Sequence, residues 1–194
     1  TRAKMKVVAI NGSPRKGGNT EIMLNAVLEP LKAAGVETKL IQIGGKNIHG
    51  CRGCWACQKL LNRKCAFSDD ILNDILEDLF SADAIIFGTP SYFSDMTAEM
   101  KALIDRAGVV ALANGKLFRH KVGAAVIAQR RGGATSIQAS LHHMMLMSEM
   151  IIPGSTYWNL GFGRDKGEVV NDAEAMANMK NLGENILMLI QKLG

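Results

Sequence analysis

Val7-Val-Ala-Ile-Asn-Gly-Ser-Pro-Arg-Lys-Gly-Gly-Asn-Thr20 is the stretch from which the chain is best read. A short apolar run stops at Asn11, a loop of glycine, hydroxyl and amide residues follows, and an amphipathic pattern starts directly after it. That order describes a buried strand, a turn and a helix N-terminus. The first N–H groups of a helix have no partner inside it, and the helix dipole is positive there, so the place suits an anion such as phosphate. The loop lacks the Gly-x4-Gly-Lys-Ser/Thr of a P-loop. It also lacks the Gly-x-Gly-x-x-Gly of a dinucleotide fold, and no acidic residue ends the next strand. Its donors are the hydroxyls and amides of Ser13, Asn19 and Thr20 and the N–H groups from Arg15 onward, a set that encloses a terminal monophosphate. A tight turn with a simple Asn/Thr cap would explain one of these residues and leave the others without a role.

Working outward, the first strand is predicted over 5–10 and a helix over 19–34. Met23, Leu24, Val27, Leu28 and Leu31 recur at helical spacing, and Gly35 stands just past the end. A second strand is expected over 37–43, after which Gly44-Gly45 opens a long loop. Asp69-Asp70 caps a helix that turns Ile71, Leu72, Ile75, Leu76, Leu79 and Phe80 inward. Strands at 82–87 and 122–128 flank a helix marked by Met96, Met100, Leu103 and Ile104. Another helix runs to about Met150. A short fifth strand is expected from Ile151-Ile152 and 155–158, broken by Pro153-Gly154, followed by an irregular stretch over 159–170. Asp172 caps a last helix with Met176, Met179, Leu182, Ile186 and Ile190 inward. Alternating strands and helices with right-handed crossovers give a doubly wound parallel sheet in a three-layer α/β sandwich. Ligands of such sheets sit outside the carboxyl ends of the strands. The loops at 11–20, 88–95 and 129–135, and the cysteine loop, all emerge there.

Composition narrows the class. A chain of 194 residues is long enough for one domain and short for two, so 1–194 is read as a single domain with the 44–68 loop inserted after the second strand. No apolar run approaches a membrane span, and the first one is too short for a signal peptide, so a cytoplasmic location without membrane contact is expected. The net charge of +5 is scattered over small clusters at Arg15-Lys16, 116–121 and Arg130-Arg131. No aromatics are interleaved with them, which argues against a nucleic-acid face, while a mild positive field favours a phosphorylated cofactor. All four cysteines fall between 51 and 65. In a cytoplasmic protein this reads as metal, cluster or redox chemistry before a disulfide framework.

The segment Gly12-Ser-Pro-Arg-Lys-Gly-Gly-Asn-Thr20 resembles the FMN phosphate loop of the flavodoxin-like NAD(P)H-dependent FMN reductases. Gly88-Thr-Pro-Ser-Tyr-Phe-Ser94, with Met100-Lys-Ala-Leu-Ile-Asp-Arg106 behind it, resembles that family's second flavin loop and following helix. Arg130-Arg-Gly-Gly133 resembles its third loop. The resemblance spans nearly the whole chain. It implies a flavodoxin-like fold with strand order 2-1-3-4-5, FMN as cofactor and NAD(P)H as co-substrate. By position, Ser13, Arg15, Lys16, Gly18, Asn19 and Thr20 would hold the phosphate, and Pro90, Ser91, Tyr92, Phe93 and Ser94 would border the isoalloxazine. Gly132 and Gly133 would let backbone approach the ribityl chain, and Arg131, with Arg130, would meet the phosphate of NADPH or the ring edge. For Tyr92 and Phe93, ordinary core packing is the competing reading.

Cys51-x2-Cys54-x2-Cys57-x7-Cys65 resembles the compact motif of iron–sulfur flavoproteins, which share this flavin domain and add a [4Fe–4S] cluster. Thiolates two residues apart wrap one cubane face and a more distant fourth closes the site; Arg52, Arg63 and Lys64 would offset its charge. Zinc, whose ligands usually come as two knuckle pairs, suits the spacing less well. A cysteine loop without a cluster, or a redox-active thiol pair, stays open beside it. His142-His143 has no partner at ligand spacing. Met144, Met145, Met147 and Met150 suit a core or a subunit interface, and Trp158 could pack or reach a neighbouring subunit's flavin. The family implies a homodimer or tetramer. No Ser/His/Asp set or paired carboxylates are found, so the expected activity is FMN-dependent oxidoreduction, the NAD(P)H-dependent reduction of flavin or a small acceptor, with a small-molecule or protein electron acceptor as partner. The alternative is an electron relay between cluster and flavin.

Overall fold

Val7 to Ile10 are completely buried, which a strand achieves only when both faces of its sheet are covered. The computed structural model, which describes residues 4–193, puts them at the sheet's centre. The elements run β1 (Lys6–Asn11), α1 (Asn19–Ala33), β2 (Glu37–Gln42), α2 (Ala56–Leu60), α3 (Leu72–Ser81), β3 (Ala84–Pro90), α4 (Ala98–Ala113), β4 (Val122–Gln129), α5 (Ala134–Met147), β5 (Leu160–Phe162), a 3₁₀ turn (Glu168–Asn171) and α6 (Ala173–Leu193). The sheet is parallel throughout, in the order β2-β1-β3-β4-β5. Asn11 pairs level with Gln42 on one side and Gly88 on the other, so three strand-end loops leave the sheet side by side.

The period-2 alternation of side chains divides the core in two. Val8, Ile10, Ile85, Phe87 and Ile127 face α3, α4 and α5, while Val7, Ala9, Ile86 and Val126 face α1 and α6. The two helices of the second face lie close because residue 183 is glycine: a Cβ there would run into the Val27 carbonyl. Among the described residues no helix is long and apolar enough to cross a membrane.

Three local expectations need correction. The fifth strand is not at 151–158. Ile151 forms a single bridge to Val122, and the strand proper is Leu160–Phe162, paired with Ile127–Gln129. Pro153 has no N–H to give a ladder. The following residues are instead drawn to α6, where Asn178 accepts from Thr156 Oγ1 (2.7 Å) and from Tyr157 N–H (3.1 Å). β3 also runs on through Thr89-Pro90, beyond the expected end at 87. α4 begins at Ala98 rather than near Met96, because Thr97 caps it by accepting from Met100 N–H. The expected Asp172 cap is present, its Oδ1 accepting from Ala175 N–H (3.0 Å).

Candidate functional site

The loop after β1 is clamped from every side. Gly12 N–H donates to Gly88 O (2.8 Å), and Thr97 Oγ1 donates to Gly12 O (2.9 Å). Asn11 Oδ1 accepts from Ser13 N–H (3.0 Å), and Gln42 Nε2 donates to Ser13 O (2.6 Å) and to Gly44 O (2.8 Å). Ser13 Oγ accepts from Arg15 N–H (3.2 Å), and Gly18 N–H donates back to Arg15 O (2.9 Å). Ile22 N–H is bonded to Gly18 O, whereas the N–H groups of Asn19 and Thr20 and the hydroxyl of Thr20, which lines the cleft, have no hydrogen-bond partner among the described residues. These donors converge at the positive end of a 15-residue helix, an arrangement able to take an anion.

Asn19 departs from expectation. Its Nδ2 donates to Asp165 O (3.0 Å), and its Oδ1 accepts from Gly167 N–H (2.9 Å) and Val169 N–H (3.3 Å). The amide therefore fastens the loop after β5, leaving only its backbone N–H for an anion.

At the end of β3, Ser91 N–H donates to Ala128 O (2.8 Å) and Ser91 Oγ to Gly132 O (3.1 Å). Tyr92 and Asp95 exchange backbone hydrogen bonds across a two-residue turn whose central residues, Phe93 and Ser94, have φ of 51° and 62°. Positive φ is uncommon for residues with side chains and marks a tightly determined turn. Phe93 sits at its tip, fully exposed, so core packing is excluded for it. Gly133 (φ +95°) allows this turn to approach: a Cβ there would lie 2.7 Å from Ser91 Oγ. Gln129 Oε1 accepts from Ala134 N–H (3.0 Å), and Gly163 N–H donates to Gln129 O (2.9 Å), joining the loops after β4 and β5.

These loops enclose a cleft of about 280 Å³. Of the residues expected from sequence, Ser13, Arg15, Asn19, Thr20, Pro90, Ser91 and Tyr92 line it; Lys16, Gly18, Phe93, Ser94, Arg131, Gly132 and Gly133 do not. Gly18 and Gly133 shape the turns behind it. Arg131 lies on an open basin that continues from the cleft, with Arg130, Phe162 and Arg164 around it. Gln129, Gly163 and Arg164 are lining residues that the sequence reading missed. Arg15 Nη1 donates to Arg164 O (3.0 Å), closing one end of the cleft. The glycines of Gly161-Phe-Gly163 were the available signal, hidden by placing the fifth strand too early.

The cysteine loop forms a separate pocket that shares no residue with the cleft. Cys51, Cys54, Cys57 and Cys65 all line it, with Arg52, Trp55, Phe67 and Arg106. Positive φ at Gly53, Trp55, Leu61 and Arg63 reverses the chain before and after α2 and wraps the loop around the pocket. Cys51 and Cys54 are exposed and Cys57 is buried. Burial pushes the Cys57 thiol up; backbone hydrogen bonds at Cys57 and Gln58 oppose this, while the neighbouring charges of Cys54 and Cys65 add to it. Four thiols gathered in this way lose their protons most readily to a cation bound among them. Among the described residues no three His, Cys, Asp or Glu side chains are already placed to hold a metal ion.

Arg106, from α4, closes the floor of this pocket. It donates Nη1 to His49 O (3.2 Å) and Nη2 to Phe67 O (3.2 Å) and Cys65 Sγ (3.3 Å), and it is ion-paired with the fully buried Asp70. Asn73 holds Cys65 independently, accepting from its N–H (2.9 Å) and donating to its O (2.9 Å). Arg63 and Lys64, expected to balance charge here, do not line the pocket; Arg63 pairs with Glu77 instead. His142 lies apart from both pockets with Nε2 buried and unpartnered, and Trp158 is half-exposed, edge-on to Tyr157.

A parallel sheet in this order, with a helix start ready for an anion and strand-end turns closing one cleft, defines a flavodoxin-like protein. The WrbA-like flavodoxin of Agrobacterium tumefaciens superimposes with a TM-score of 0.68 at 16% identity, covering 99% of this chain and 100% of that one. An iron–sulfur flavoprotein of Methanocaldococcus jannaschii is 34% identical over 96% of this chain and 98% of its own length. An iron–sulfur flavoprotein of Methanosarcina thermophila is 36% identical over 97% and 98%. The model of the NADPH-dependent FMN reductase family matches residues 5–165, and the chain belongs to that family, in its iron–sulfur flavoprotein branch. It is an FMN-dependent oxidoreductase.

Proposed function

We propose that the cleft holds FMN with its phosphate on the N–H groups of Asn19 and Thr20 and the hydroxyls of Thr20 and Ser13, and its ring system against Pro90, Ser91 and Tyr92. Cys51, Cys54, Cys57 and Cys65 hold a [4Fe–4S] cluster. The observation that carries this second assignment is the gathering of all four thiols in one pocket with Arg52 and Arg106. The donor set fits: a cubane takes four thiolates set around its body rather than meeting at one point, and its negative charge needs cations nearby. FMN supplies two-electron and one-electron chemistry, and the cluster a one-electron store. The chain's own part is to position the groups, to keep Cys57 out of water and to balance charge. On this reading the protein is an electron-transfer iron–sulfur flavoprotein. It acts as a single flavin domain in the cytoplasm, in a homodimer or tetramer that serves a small-molecule or protein acceptor.

A second reading is direct reduction of a small acceptor by NAD(P)H at the flavin. The open basin favours it, since three arginines, Arg130, Arg131 and Arg164, line it against two carboxylates, Glu168 and Asp172, and could meet a nucleotide phosphate. Anaerobic purification with iron, sulfide and flavin analysis separates the two. The relay reading requires about four iron atoms per chain and a broad absorbance beyond the flavin bands. Cys54→Ser should abolish the iron and leave FMN bound. Yellow, iron-free wild-type protein that NADPH bleaches rapidly would decide for the reductase, and wild-type protein without affinity for FMN would sink both.

A further inference from the structure

We propose that Arg106 is a positioning residue that raises the reduction potential of the centre held by the four cysteines. This rests on the cluster reading above.

The Arg106 side chain is 1% exposed and Asp70 is 0% exposed. A fully buried ion pair is a costly way to fasten a loop. Fastening does not need it at Cys65, because Asn73 already holds both the N–H and the carbonyl of that residue. Nor does Asp70 depend on Arg106 alone, since it accepts from His49 N–H (3.0 Å) and Leu72 N–H (3.1 Å). The bonds from Arg106 to His49 O and Phe67 O tie the loop, and the one contact left that ties no backbone is Nη2 to Cys65 Sγ. A neutral thiol is a weak acceptor and a thiolate a good one, so this donor has its use when the sulfur carries charge. Arg106 Nε is buried without a partner, so the guanidinium is placed by its other contacts, at the expense of one donor.

Reduction of a thiolate-ligated centre adds negative charge. A donor fixed on a ligand sulfur, away from water, stabilises the reduced state more than the oxidised one. Arg52 also lines the pocket, but it is 48% exposed and stacked on Phe67, where solvent screens it.

Arg106→Gln alone would strand the Asp70 carboxylate, so the test compares D70N/R106Q, R106K and R52Q with wild type. All are purified anaerobically as holoproteins, assayed for iron, FMN and circular dichroism, and titrated potentiometrically with EPR detection. The ion pair is neutral overall in wild type and absent in D70N/R106Q, so net charge is kept while the donor to sulfur is lost; the bonds to His49 O and Phe67 O go with it, and the iron assay and circular dichroism report that loss separately. Its loss should lower the reduced-to-oxidised ratio of the cluster about tenfold at a fixed potential, a negative shift of ~59 mV for a one-electron couple. R106K keeps the charge and loses the fork, and should fall between; R52Q should stay at the wild-type value. An iron-loaded D70N/R106Q at the wild-type potential overturns the proposal. So does a double variant that loses fold or iron while R106K keeps the wild-type potential, since Arg106 is then only a fastener. The same loss with R106K shifted negative supports it. Wild type without iron overturns the cluster reading and the role of Arg106 with it.

Discussion

The flavin edge and the cysteine loop both leave the sheet at the carboxyl ends of its strands, yet they are built by opposite means. At the flavin edge the neighbouring chain segments bond backbone to backbone: Gly12 to Gly88, Ser91 to Ala128, Gly163 to Gln129. The sheet's own register therefore sets the cleft, and the side chains of Thr97, Gln42 and Asn19 reinforce loops that the backbone already joins. Between residues 45 and 68 the only regular element is the five-residue α2. The loop is tied down by side chains that reach it from elsewhere, namely Arg106, Asp70, Asn73 and, at Arg63 N–H, Asn114. The first region inherits its rigidity; the second depends on a few contacts. Substitutions that respect the sheet should therefore leave the cleft intact, while single changes at the anchors should loosen the cysteine pocket.

The comparison breaks most severely where the two regions meet. Gly44 ends β2's connection and opens the cysteine loop, and its Cα lies against the Ser13 backbone, so a Cβ would overlap the Ser13 carbonyl group. Neither partner is a flexible side-chain end. Gly44→Ala should cost roughly 1–3 kcal/mol in urea unfolding and weaken FMN binding at least tenfold by displacing the Ser13 turn. Wild-type affinity in this variant would show that the turn is not fixed by the sheet.

Acid should separate the regions next. Burial alone would push the Asp70 carboxyl up, but hydrogen bonds from His49 N–H, Arg106 and Leu72 N–H outweigh it and hold the carboxyl below its usual range. A depressed folded value means that the stabilisation is complete above the ordinary carboxylate value of about 3.9 and is lost as pH falls through the lower folded one. The urea midpoint of wild type should therefore lie above that of Asp70→Asn at neutral pH, with the gap closing only below about pH 4. Amide exchange should quicken first in the cysteine loop. A gap independent of pH would mean that ionised Asp70 is not what anchors the loop.

Much of this was legible in the sequence, and the parts that were not share a cause. Period and punctuation located β1, α1, β4 and α6, because each is long or buried enough to carry its own pattern. β5 has three residues and no pattern, and only its pairing with Ile127–Gln129 makes it a strand. Missing it hid Gly163 and Arg164 from the cleft. Thr20 could be read from its place at a helix start. Asn19 could not, because its amide is taken up by Asp165, Gly167 and Val169, far along the chain. The cysteine spacing was plain, but Arg106 lies 41 residues from Cys65 on another helix, and no local signal ties the two.

Two smaller effects test the claim that the cleft is preformed. Thr20 lines the cleft, and its hydroxyl has no hydrogen-bond partner among the described residues. Thr20→Val is close in shape and removes no hydrogen bond of the apoprotein, so the urea midpoint of the apoprotein should not fall. FMN affinity should fall about tenfold, the value of one hydrogen bond to a charged group. Riboflavin lacks the phosphate, so its affinity should be unchanged, and an equal loss for both ligands would place the phosphate elsewhere.

The smallest effect is expected at Phe93. It has left-handed backbone, stands fully exposed at the tip of the Tyr92–Asp95 turn and touches no core. Phe93→Ser should therefore leave the urea midpoint of the apoprotein within about 0.5 kcal/mol of wild type. An exposed aromatic at the tip of a tightly determined turn, beside Tyr92 in the cleft, offers a flat surface to whatever approaches the cleft mouth. If that is the flavin ring, dissociation of FMN should quicken several-fold while the phosphate end still holds. If dissociation is unchanged but sedimentation shows smaller particles, Phe93 meets a second copy of the chain instead, and the cleft needs only Tyr92 from this turn.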